Sequence, residues 1–70
     1  MGINHVLHLQ TEAAHAYMRK RGLSAAEFSE LDRKYNILRF IEIGYEIFHL
    51  EGIEGVVEEI EDYISGDKKG

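Results

Sequence analysis

Between Leu23 and Ile64, apolar side chains return every three or four residues through LSAAEFSELDRKYNILRFIEIGYEIFHLEGIEGVVEEIEDYI, the spacing of one helix face after another. No proline interrupts the chain, so breaks between helices fall to glycine, asparagine and capping residues. Seventy residues suffice for a single small domain, and the lack of cysteine removes disulfides and thiolate metal sites as sources of stability. Helix packing, association or a bound partner must supply it. The pattern predicts an all-α, compact single domain of four helices over 1–64, with helix 3 central, and a flexible tail, SGDKKG, over 65–70.

The first helix is expected from about Ile3 to Arg21, with Ile3, Val6, Leu7, Ala13, Ala14 and Tyr17 along one face. Gly22 suits a left-handed C-terminal cap behind Arg19, Lys20 and Arg21, cations that favour a helix C-terminus. Ser24 and Glu27 have the spacing of a capping box opening helix 2, whose stripe is Phe28, Leu31 and Tyr35 and whose end is Asn36. Helix 3, about Ile37 to Leu50, is apolar nearly all round, with Arg39, Glu42, Glu46 and His49 as its polar strip. Ile37, Phe40, Ile41, Gly44, Tyr45 and Phe48 would meet its neighbours, Gly44 permitting a close helix approach. After a turn at Gly52 and Gly55, helix 4 would run from about Ile53 to Ile64, bury Ile53, Val56, Val57, Ile60, Tyr63 and Ile64, and stop at Gly66.

Leu23-Ser24, Lys34-Tyr35, the run Phe48-His49-Leu50-Glu51-Gly52 and the run from Val57 to Ile64 together carry a resemblance over about the C-terminal two-thirds of the chain. In these residues the chain resembles a family of short, all-helical, functionally uncharacterised bacterial proteins, a domain of unknown function. Members are often encoded beside predicted ADP-ribosyltransferase-like toxins. The resemblance therefore implies a small partner or antitoxin of a neighbouring toxin, and it supplies no catalytic residue. Helix 1 departs from the family's more apolar pattern by placing His5, His8, Glu12 and His15 in one stripe.

That stripe is the first candidate site. Imidazole and carboxylate one turn apart suit zinc or nickel, but four ligands would need a second helix, so the expectation is a dimer or pH-sensitive seam, or plain surface, with no metal or other cofactor. The second candidate follows from charge. Residues 1–35 hold five basic and four acidic side chains, whereas residues 36–70 hold three and nine, for a net charge of -5. Helix 4 concentrates the acid in Glu54, Glu58, Glu59, Glu61 and Asp62, with no base among them. Like charges at i and i+4 oppose each other, so this face is a candidate for a basic partner, such as a toxin surface, or is simply solvated.

An acidic half repels phosphate backbones, and helix 3 offers Arg39 against Glu42 and Glu46 where a recognition helix needs donors to base edges. A helix-turn-helix DNA binder is thus the alternative, and no nucleic acid is the expectation. For an enzyme, His49 beside Glu46 could serve as an oriented acid or base. Ordinary intrahelical pairs explain the strip, Ser24 is a cap, and no catalytic residue is expected. No stretch approaches the ~20 apolar residues of a membrane span and no leader is visible, so a cytoplasmic protein with no membrane contact is expected. The expected function is a non-enzymatic protein-binding module, with homo-oligomerisation as a further alternative.

Overall fold

The computed structural model describes residues 2–66. It contains α1 (Gly2–Arg21), α2 (Ala25–Tyr35), α3 (Ile37–Ile43), α4 (Tyr45–Phe48) and α5 (Ile53–Ser65), so the domain is all-α. Among the described residues there are five helices rather than four, because the helix expected over Ile37 to Leu50 is divided into α3 and α4. The last helix runs one residue past Ile64, and residues 67–70 of the expected tail lie outside the described residues, as does the side chain of Ile3.

The helix ends follow from local chemistry. At the end of α1, Gly22 takes φ 68°, which lets Leu23 N–H reach the Met18 carbonyl at 2.9 Å and Gly22 N–H reach that of Arg19 at 3.4 Å. These two bonds make a Schellman cap, satisfying carbonyls the helix leaves open. The capping box forms as expected: Glu27 N–H donates to Ser24 Oγ at 3.1 Å, and Ser24 N–H donates to Glu27 Oε1 at 2.8 Å. Asn36 alone separates α2 from α3, in the left-handed conformation at φ 56° that asparagine tolerates better than most residues. The N-terminus of α3 is capped from the preceding helix, by Asp32 Oδ1 accepting from Leu38 N–H at 2.9 Å.

Gly44 divides the expected third helix. The ladder restarts there, with the Gly44 carbonyl accepting from both Ile47 N–H and Phe48 N–H. The Phe48 ring lies against the glycine. A Cβ on residue 44 would sit 2.7 Å from ring Cζ and 2.9 Å from Cδ2. The nearest neighbour in the space that Gly44 leaves open is thus the ring of Phe48, one turn along the chain in α4.

Leu9, Ala13, Ala14 and Tyr17 of α1, Phe28 of α2, Ile37 and Ile41 of α3, Phe48 of α4, and Val56, Val57 and Ile60 of α5 form one core. The broadest helix contact joins α1 to α5, and α3 packs against α1, α2 and α5. Ile37, Ile41, Val56 and Ile60 are the largest fully buried side chains, each stabilising by roughly 1.5–3 kcal/mol through lost water contact. Aromatic rings fasten the ends. Phe40 stacks on Tyr63 with centroids 4.1 Å apart and tilts against Phe48 at 5.2 Å, while the Tyr63 hydroxyl donates to the Tyr35 carbonyl. Gln10 Nε2 ties α1 to α3 through the Leu38 carbonyl at 2.7 Å.

Three expectations about burial change. Leu7 is exposed and Leu9 takes its place in the core, because α1 meets α5 and α3 along the Leu9, Ala13 and Tyr17 side. Tyr63 is at the surface, held by its stack and hydroxyl bond. The helix expected to be covered all round leaves Ile43, Ile47 and Leu50 exposed at 73%, 64% and 77%. No helix among the described residues is long and apolar enough to cross a membrane.

Candidate functional site

The acidic face of α5 divides into three environments. Glu61 faces the last turn of α1, where Lys20 Nζ lies 3.2 Å from one carboxylate oxygen and Arg21 Nη1 lies 3.6 Å from the other. The acid that had no base within its own helix finds two in α1. Glu54 and Glu58 are exposed beside Arg19 and Lys20, lining an open groove of about 620 Å³ with Ala16, Ile53 and Val57. Glu59 and Asp62 line a further groove with Phe40, Tyr63 and Gly66, and Asp62 also borders Glu61, Arg21 and Tyr17. Tyr17, under the Lys20, Arg21 and Glu61 cluster, has its phenol pushed above the usual tyrosine range, chiefly by burial; Glu61 and Tyr35 push the same way and Arg21 opposes.

The histidine stripe is likewise divided. His5, His8 and Glu12 line a groove of about 290 Å³ between α1 and the α4–α5 connection, joined there by Tyr45 and His49 over a floor of Leu9, Phe48 and Ile53. His8 Nε2 is 3.3 Å from Glu12 Oε2, both exposed. His15 belongs instead to a neighbouring groove with Leu7, Thr11, Met18 and Leu38. Among the described residues, no three His, Asp or Glu side chains converge closely enough to hold a metal ion.

The polar strip of helix 3 does not form the intrahelical pairs expected of it. Arg39, Glu42, Glu46 and His49 are all exposed, and none of them is in an ion pair among the described residues. His49 stacks on Tyr45, with centroids 4.8 Å apart and planes 13° from parallel.

Two features escaped sequence reasoning. His49 joins the α1 histidines only because the chain turns back after α4, which no local spacing encodes. Ile43, Ile47 and Leu50 were readable: at ~100° per residue they fall beside Arg39, Glu42 and Glu46, on the same side of the helix as the polar strip. Their exposure makes a run of apolar surface within eight residues, interleaved with Glu42, Glu46 and Glu51.

No curated protein and no solved structure matches this chain. A family model does, over residues 8–66, which takes in most of α1 and every later helix. With nearly the whole domain covered, the chain belongs to the family described as protein of unknown function, DUF3791.

Proposed function

We propose that this domain is a small, non-enzymatic protein-binding module, in the manner of an antitoxin-like partner of a neighbouring toxin. The observation that carries the reading is the exposure of Ile43, Ile47 and Leu50. Scattered single apolar residues on a surface are ordinary, whereas three large ones in one short segment mark surface that gains by being covered. The excess of acid in residues 36–70, nine acidic side chains against three basic, sets up a negative field that favours a basic partner. The family resemblance supports the toxin in this proposal, and the exposed apolar residues support the binding surface.

A helix-turn-helix reading has less support. The helix in the recognition position is α3, only seven residues long, and its exposed face offers Arg39 beside Glu42 and Ile43.

Co-expression with the product of the adjacent gene, followed by size exclusion, tests the proposal. A shared peak at micromolar concentration is the expected result; two proteins eluting apart would refute the reading.

A further inference from the structure

Resting on the protein-binding reading, we infer that the exposed ridge of Ile43, Ile47 and Leu50 docks a basic amphipathic helix of the partner, with apolar residues along one face and lysine or arginine flanking them.

The ridge is apolar, and acid outnumbers base along it, three carboxylates against Arg39. Glu42 adjoins Ile43, Glu46 adjoins Ile47 and Glu51 follows Leu50, all three exposed. Between Arg39 and Lys68 the sequence contains no lysine or arginine at all. None of these three carboxylates is in an ion pair among the described residues, in contrast to Glu61, Glu30 and Glu12, each of which is paired with a basic side chain. A partner covering the ridge must therefore come close to several uncompensated negative charges. One with flanking cations gains from them, and one with flanking acids is repelled.

The same charges decide between occupants. A second copy of the chain meeting this one across a two-fold axis would bring both acidic borders together, since such contacts use the same patch on each side. An anionic membrane surface is disfavoured on the same ground. A helix is the natural shape because Ile43 at the end of α3, Ile47 in α4 and Leu50 just after it form one short exposed apolar segment that a complementary apolar stripe can cover. The ridge is also held from behind. Phe48, only 7% exposed, anchors α4 in the core against Phe40, so the segment does not need to fold on binding.

The test uses the full 70-residue chain and a fluorescently labelled synthetic helix with leucine at i, i+3, i+4 and i+7 flanked by lysine. Its two controls are a peptide with glutamate for every lysine and a scrambled peptide of identical composition. Anisotropy titration should show saturable binding of the lysine peptide alone. Ile47→Asp should weaken it at least about tenfold, and Ile43→Ser, a milder change, should weaken it in the same direction. The triple change Glu42→Gln, Glu46→Gln and Glu51→Gln should flatten its dependence on salt. Circular dichroism confirms that each variant stays helical. Equal binding of the glutamate peptide would overturn the charge inference while leaving the protein-binding reading intact. No saturable binding of the lysine peptide, or equal binding of the scrambled one, would overturn the ridge as a helix dock. Sedimentation of the chain as a dimer that Ile47→Asp dissociates would overturn it in favour of a self-interface. Failure of the protein-binding reading itself would appear separately, in the co-expression experiment.

Discussion

Replacing Gly44 with alanine separates two explanations for the break between α3 and α4. If Gly44 is merely a poor helix former in what would otherwise be one helix, Gly44→Ala stabilises by ~1 kcal/mol, the ordinary gap between the two residues. The structure argues the opposite. The new methyl would sit 2.7 Å and 2.9 Å from two Phe48 ring atoms and closer still to Cε2, and the ring is a core element that cannot swing away without vacating its place against Phe40. Backbone strain plays no part, because φ -91° and ψ 11° at Gly44 are open to alanine. Forcing a methyl into such a contact costs roughly 1–3 kcal/mol, which exceeds the gain in propensity, so the net expectation is a loss of about 1 kcal/mol. In urea denaturation followed by helical circular dichroism, with a slope near 1 kcal/mol/M, the midpoint should fall by about 1 M. Phe48→Leu removes the offending ring atoms, so in that background Gly44→Ala should turn neutral or stabilising, a coupling of roughly 2 kcal/mol. A rise in midpoint for Gly44→Ala alone, or additivity of the two changes, refutes the packing argument.

Asp32→Ala removes the carboxylate that accepts from Leu38 N–H at the start of α3, and should cost about 1 kcal/mol in the same assay, with Asp32→Asn costing less because it retains an acceptor. Tyr17→Phe should leave stability near neutral pH almost unchanged. Because burial raises the Tyr17 pKa in the folded state, its contribution is full below the ordinary tyrosine value of about 10 and is lost as pH rises through the raised one. Thermal melts should therefore show wild type losing more stability than Tyr17→Phe on the alkaline side, and parallel losses would contradict the burial argument. Glu61→Gln frees Lys20 and Arg21, and should cost less than about 1 kcal/mol because both cations are half exposed; the loss should shrink further in molar salt.

The sequence was legible wherever structure is decided within a turn or so of chain. The Schellman cap at Gly22, the Ser24–Glu27 box, the left-handed Asn36 and the stop at Gly66 each satisfy backbone groups with residues at most five positions away. Gly44 lies at the limit of that legibility. Its small size was readable, but the ring that needs the space depends on how Phe48 is drawn toward Phe40. Surfaces shared by distant elements were not legible at all. The neutralisation of Glu61 by Lys20 and Arg21 spans about forty residues of chain, and His49 reaches the α1 histidines only through the turn after α4. The exposed ridge was missed for a different reason: a helix apolar all round suggests burial on all sides, yet a domain of this size has too few neighbours to cover it.

The break at Gly44 and the exposed ridge have a common consequence for stability. A helix of four residues cannot persist by its own hydrogen bonds, so α4 depends on Phe48 in the core and on the Gly44 carbonyl that starts its ladder. The same short segment exposes Ile47, with Leu50 just beyond it, and keeps Glu46 and Glu51 unpaired among the described residues, apolar exposure and charge repulsion that work against the free fold. A basic amphipathic partner removes both at once. If such a partner binds the folded chain only, saturation to 100 times its Kd would add ~2.7 kcal/mol, a large share of the ~3–5 kcal/mol that a core this small provides. Thermal unfolding in the presence of the lysine peptide should accordingly shift upward, and the shift should vanish for Ile47→Asp. A peptide that binds the ridge without raising the melting temperature would show that the unfolded chain binds it equally well, and that the ridge as folded is not what the partner recognises.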